Sequence, residues 1–282
     1  MAVARPIDTL HMGRDRVIGA WEQDGVLIDP GPASTVTTVL EALGDAEVRA
    51  ILLTHIHLDH AGGAGTLIRR FPAARVYVHE IGVPHVIDPS RLLASAARLY
   101  GEDRMDELWG ETLPVDADRV TPLRGGESIE GFDVLHAPGH ASHHVVYLDP
   151  GDGSAYVGDV AGVRIPPAGR TLMPTPPPEI NVEAWLASLA ALAAHSPERL
   201  RLTHFGEIAG VEASAAQLDA AAAALRRASE LARPGDREAF LAAIEGEVAD
   251  QPGEEAERMR SAMPLEQVWL GLERYWRKRA GD

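Results

Sequence analysis

Cysteine is absent from the 282 residues. The chain therefore has no disulfide framework, no cysteine nucleophile and no thiolate metal ligand. Lysine is almost absent as well: Lys278 stands alone, so nearly all positive charge is arginine. There are 26 basic residues against 42 acidic ones, a formal net charge of −16. Such a chain repels phosphate backbones and anionic lipid headgroups, so neither nucleic acid nor a membrane is an expected partner. No apolar run approaches the roughly 18 residues of a membrane-spanning helix. The start, Met1 to Asp8, lacks the apolar core of a signal peptide, and a cytoplasmic location is the expectation. A composition 45% hydrophobic and 24% charged is that of a globular protein, long enough for one large domain or a domain with an appendage.

Histidine is concentrated in one stretch, Thr54-His55-Ile56-His57-Leu58-Asp59-His60-Ala61-Gly62-Gly63. It follows Ala50 to Leu53, an apolar run that reads as a buried strand, and precedes Ala61 to Phe71, which reads as a helix. On extended chain, residues two apart point the same way, so His55 and His57 can share one ion. Asp59 and His60 lie past the bend, within reach of a second ion. Neutral imidazole and carboxylate are donors that borderline divalent metals accept. Gly62 and Gly63 are expected to leave room around these ligands.

The surrounding chain reads as strands and helices in alternation. Ile7 to Met12, Val17 to Trp21 and Val26 to Ile28 suggest a β-meander, broken by Asp29-Pro30-Gly31. Ser34 is a candidate cap for a helix through Leu43. After a strand at Arg75 to His79, a helical insertion at about residues 88–112 departs from the rhythm. It is a candidate lid over a substrate pocket, with Tyr100, Met105 and Trp109 as pocket residues. Further strands end at Ala137-Pro138-Gly139-His140, at Tyr156-Val157-Gly158-Asp159 and, last, at Leu200-Arg201-Leu202-Thr203-His204. Residues 164–180 are proline-rich and read as a loop beside the site. His55, His57, His140, Asp159 and His204 thus all stand where a strand stops.

The ordered set THIHLDHAGG, APGH, YVGD and LTHFG resembles the metallo-β-lactamase-fold hydrolases, in particular their glyoxalase II-like dinuclear branch, over residues 7–210. The resemblance implies an α/β fold of the αββα sandwich type, with residues 1–210 as the catalytic domain and 211–282 as a C-terminal helical region. It implies two divalent metal ions, most simply zinc, with iron or manganese as alternatives. His55, His57 and His140 would bind the first and Asp59, His60 and His204 the second. Asp159 would bridge them, with a water or hydroxide held between. Asp59 would also orient that water. Two cations sharing a water supply hydroxide near neutral pH and hold the oxyanion formed on attack.

The implied activity is hydrolysis of an ester, thioester or lactone in a small-molecule acyl substrate. The alternative is a mononuclear-iron persulfide dioxygenase on the same fold. With no cysteine, the β-lactamases that use a cysteine ligand are excluded. No basic cluster before Arg277 points to a glutathione pocket. His144 matches a family histidine that is not a ligand, and His11, His79, His136 and His143 read as structural or exposed. In the tail, Leu265, Val268, Trp269, Leu272 and Trp276 form a helical stripe suited to core packing or to a homodimer.

Overall fold

In the computed structural model, which describes residues 4–167 and 169–281, two six-stranded sheets face one another. The first begins as an antiparallel meander, β1 (Arg5–Asp8), β2 (Gly19–Gln23) and β3 (Val26–Ile28), and continues with parallel strands β4 (Ala50–Leu52), β5 (Arg75–His79) and β6 (Val120–Leu123). Its helices are α1 (Val36–Leu43), α2 (Leu58–Ala61), α3 (Ala64–Arg70), α4 (Val83–Ile87), α5 (Ser90–Tyr100) and α6 (Met105–Trp109), the last three inserted between β5 and β6.

The second sheet runs β12-β11-β10-β9-β8-β7. Its strands are β7 (Ser128–Ile129), β8 (Phe132–His136), β9 (Val145–Asp149), β10 (Ser154–Gly158), β11 (Arg199–Leu202) and β12 (Gly206–Ala209). Only β10 and β11 pair in parallel, and α7 (Val182–Ala194) connects them. The tail folds as α8 (Val211–Ala232), α9 (Arg237–Ala249), α10 (Glu255–Ala262) and α11 (Leu265–Ala280).

Side-chain alternation makes this a four-layer sandwich. Along β4, Ala50 and Leu52 join Trp21, Val145 and Tyr147 between the sheets, while Ile51 joins Val39 and Leu67 beneath the first helical layer. Both faces of β4 are covered, so its sequence is continuously apolar rather than alternating. The outer face of the second sheet packs on α7 and the tail in one cluster that includes Val157, Trp185, Leu225, Phe240 and Trp269. Each fully buried side chain of this size stabilises the fold by about 1.5–3 kcal/mol before entropy is counted. Val268, Trp269 and Leu272 of the tail stripe are therefore taken up within the chain's own core.

Several expectations need correction. β1 ends at Asp8, and His11–Gly13 forms a 3-10 turn with left-handed residues on either side of His11. Ser34 does not cap α1; its hydroxyl donates to Leu108 O at 2.9 Å, tying the helix entry to α6. The helix expected over Ala61 to Phe71 is split at Gly62-Gly63 into α2, which starts at Leu58 and holds Asp59 and His60 in its first turn, and α3. The strand at 199–202 is not the last, because β12 follows it. Gly62 and Gly63 serve packing rather than ligand room: a Cβ on either would meet the Gly31–Val36 segment at 3.2 Å or less.

Candidate metal centre and its cavity

Apart from Asp59 and His60, each candidate ligand sits on a connection after a strand, where backbone direction is set by the sheet but the side chain is free of the ladder. His55 and His57 follow β4, Asp59 and His60 lie in α2, and His140 lies between β8 and β9. Asp159 follows β10, and His204 lies between β11 and β12. The sheets bring these ends to one edge and form two groups. His55, His57, His140 and Asp159 offer donor atoms within 4.8 Å of one another, and so do Asp59, His60 and His204.

Asp159 stands between the groups with one oxygen toward each. Its Oδ2 lies 3.2 Å from His140 Nε2 and 4.0 Å from His55 Nε2. Its Oδ1 lies 3.4 Å from both His60 Nε2 and His204 Nε2. His57 Nδ1 lies 3.0 Å from His55 Nε2 and 2.9 Å from His140 Nε2. Asp59 Oδ2 is 3.4 Å from His204 Nε2. Gly158, at φ +48°, makes the approach possible, since a Cβ there would lie 2.5 Å from Thr54 Oγ1 and 2.7 Å from His144 Nε2.

In His55, His60, His140 and His204 the other ring nitrogen is held from behind, which fixes tautomer and orientation. His60 Nδ1 donates to Asp29 Oδ2 at 2.9 Å, His140 Nδ1 to Pro174 O at 2.9 Å and His204 Nδ1 to Val17 O at 2.6 Å. His55 Nδ1 meets Thr54 Oγ1 at 3.1 Å. Asp29 also accepts from Thr54 N, Thr54 Oγ1 and Thr203 Oγ1. Asp29 was legible only as a strand breaker; its one clue was a strand-end position like that of Asp159. His144 is no ligand here: its Nε2 accepts from Asp159 N at 3.2 Å.

The residues fit a pair of cations. His60 Nε2, His204 Nε2 and Asp159 Oδ1 are buried with no hydrogen-bond partner among the described residues. Each such atom costs about 1–3 kcal/mol if left uncompensated. Their donor types are those zinc and iron accept.

Burial, with neighbouring imidazoles, holds His55 far below its ordinary pKa and His57 down at about 3, so both are neutral donors. Burial alone would depress His60 and His204 too, but the carboxylates of Asp159 and Asp59 raise them. Burial alone would raise Asp59 and Asp159; the facing histidines pull both well below the carboxylate range.

A cavity of about 650 Å³ opens onto both groups. Tyr100 and Trp109 line it, as expected, and their rings meet edge to face at 4.9 Å. Met105 does not line it and packs behind, against the Leu58–Leu108–Trp109 cluster. α5 contributes Leu92, Ala96 and Leu99 to the wall and has no fully buried residue. Pro174 to Glu179 and residues 260–264 of the tail close the opposite side. His11 and His143, read from sequence as structural or exposed, are buried and line the cavity. No spacing signal marked them. His79 and His136 stack on each other at 4.5 Å outside it.

This fold and site define a family: residues 22–204 match the metallo-beta-lactamase superfamily, and the chain belongs to it. Among curated relatives, it is similar to a hydroxyacylglutathione hydrolase of Aeromonas hydrophila, 34% identical over 194 residues, covering 66% of this chain and 61% of that one. The chain spans between 42% and 61% of the length of such relatives. An archaeal metallo-beta-lactamase superfamily protein of Sulfolobus tokodaii shares the fold over 96% of this chain and 98% of its own, with a TM-score of 0.70 and 21% identity. TTHA1623, solved in a di-iron-bound form, aligns over 76% of this chain and 92% of its own at 27% identity, with a TM-score of 0.53.

Proposed function

We propose that the protein is a dinuclear metallohydrolase that cleaves an ester, thioester or lactone bond in a small acyl substrate. The observation that carries this reading is Asp159, whose two oxygens face two separate groups of donors. His55 Nε2, His57 Nδ1, His140 Nε2 and Asp159 Oδ2 would hold one ion; Asp59, His60 Nε2, His204 Nε2 and Asp159 Oδ1 would hold the other. When bound, such cations supply Lewis acidity, which polarises a carbonyl and lowers the pKa of a water.

The chain's own groups do the rest. Asp59 turns Oδ2 toward His60 and His204 and keeps its side chain 22% exposed, which leaves Oδ1 to accept a hydrogen bond from the attacking water. Its depressed pKa keeps it a hydrogen-bond acceptor rather than an acid. The apolar wall of Leu99, Leu108 and Trp109 suits an acyl chain and excludes bulk water. A mononuclear-iron dioxygenase would use one donor group and leave the second without a role.

The relatives' name, hydroxyacylglutathione hydrolase, supports thioesters as the first substrates to try. Zinc is the ion of this reading, with iron next in view of the di-iron form of TTHA1623. Action in the cytoplasm belongs to the same proposal.

The test is metal quantification on protein purified without added metal, together with turnover of thioester and lactone panels. Two equivalents with hydrolysis support the reading; one iron with oxygen uptake on a persulfide and no hydrolysis would overturn it. Asp159→Ala is expected to lose activity and bound metal while keeping the native circular dichroism spectrum. Full activity in that variant would defeat the two-ion scheme.

A further inference from the structure

His11 belongs to neither donor group, yet it is only 4% exposed and lines the cavity. Its turn runs against ordinary burial preference: apolar Leu10 and Met12 are 47% and 43% exposed, while the imidazole between them points inward. Both neighbours hold left-handed backbone, at φ 53° and 54°, which costs a residue with a side chain roughly 1–2 kcal/mol. The inward ring stacks on Trp109, with centroids 5.5 Å apart and planes at 13°. Its Nδ1 is buried with no hydrogen-bond partner among the described residues. A phenylalanine would keep the stack without an unsatisfied nitrogen, so folding alone does not account for a histidine here. The same connection between β1 and β2 supplies Val17 O to His204, so the turn stands beside the second donor group.

We propose that His11 determines substrate specificity, its imidazole hydrogen-bonding an uncharged oxygen, hydroxyl or carbonyl, carried on the acyl chain of the substrate. The acyl class rests on the hydrolase reading above; the hydrogen bond does not. The apolar remainder of the chain lies along Trp109, Tyr100 and Leu99. Burial holds the ring below its ordinary pKa and therefore neutral, with one donor and one acceptor.

The test uses the metal-loaded full chain and the N-acetylcysteamine thioesters of hexanoate and of its 2-, 3- and 4-hydroxy derivatives. Ketone analogues with methylene in place of sulfur give dissociation constants by calorimetry without turnover. The wild type is expected to favour at least one hydroxylated compound over hexanoyl by about tenfold, because a site built for a hydrogen bond discriminates against the compound lacking it. His11→Phe, which keeps the stack on Trp109, is expected to bring that ratio below about threefold. His11→Gln, which keeps a donor and an acceptor, is expected to retain a larger part of it. Metal content and thermal midpoint, measured on each variant, separate this effect from misfolding. No preference in the wild type, or an unchanged preference in His11→Phe, overturns the proposal. Binding preference without hydrolysis of any thioester would leave His11's role standing and defeat the thioester form of the hydrolase reading instead.

Discussion

The chemistry of the candidate centre depends on residues that touch no substrate. Asp29 accepts four hydrogen bonds, from Thr54 N, Thr54 Oγ1, His60 Nδ1 and Thr203 Oγ1, and so joins three element ends through one buried carboxylate. Asp29→Asn cannot accept all four, and its metal affinity should fall about 10- to 100-fold, read by competition with a chelator. Affinity within a factor of two of the wild type would show that Asp29 serves folding alone. Protons enter the same balance. Burial opposes the charge on His60 and His204, but the facing carboxylates raise both, which favours protons on these rings that a cation must displace. Metal titration at pH 7, in buffers of different ionisation heat, should therefore show net proton release, and affinity should rise with pH. The strand-end positions of His55, His57, His140, Asp159 and His204 were legible in sequence because ligand types recur where apolar runs stop. Asp29 and His11 were not, since an aspartate before Pro-Gly is commonly a turn residue and a lone histidine near the end of an expected strand is commonly a structural or surface residue.

At the scale of elements, the tail reaches the centre through a loop. Thr175 Oγ1 donates to Val268 O of α11 at 2.9 Å, and Pro174 O next to it accepts from His140 Nδ1. α11 comes so close that a Cβ on Gly271 would lie 1.9 Å from Thr175 O. Gly271→Ala should push the loop away, cost about 1–3 kcal/mol in urea unfolding and weaken metal binding with it. If stability falls while metal affinity is unchanged, the loop does not transmit the tail's position to His140. The proline-rich loop was readable from composition, and its place at the cavity wall agrees with that reading. What α11 does for it was hidden, because a stripe of Val268, Trp269 and Leu272 looks alike whether it packs on its own chain or on another.

Across the whole molecule, the apolar clusters lie between the sheets and beneath the two helical layers, whereas the candidate ligands lie on connections at one edge. Removing metal should therefore spare the sandwich. Treatment with a chelator is expected to leave the far-ultraviolet circular dichroism spectrum unchanged and to lower the thermal midpoint, because an ion bound only by the folded chain stabilises it by mass action. Collapse of the secondary structure would instead make the metals part of the folding nucleus. Arg258 of α10 pairs with Asp15 beside the His11 turn at 2.5 Å, so the tail also holds the N-terminal side of the cavity. Among the described residues, no helix is long and apolar enough to cross a membrane.

The sequence by itself determined most of the strands and helices and the histidine- and aspartate-bearing strand ends, while the sandwich class came from its resemblance to a known family. The elements and their ends are local matters of periodicity, chain direction and donor type, and nearby residues encode them. Only the tertiary structure decided that Asp159 divides its oxygens between two donor groups, that Asp29, Pro174 and Val17 hold the rings, and that Trp109 faces the cavity while Met105 packs behind it. Those outcomes depend on contacts between residues far apart in the chain, such as the 187 positions separating Val17 from His204. Periodicity along one segment carries no information about what another segment will bring against it.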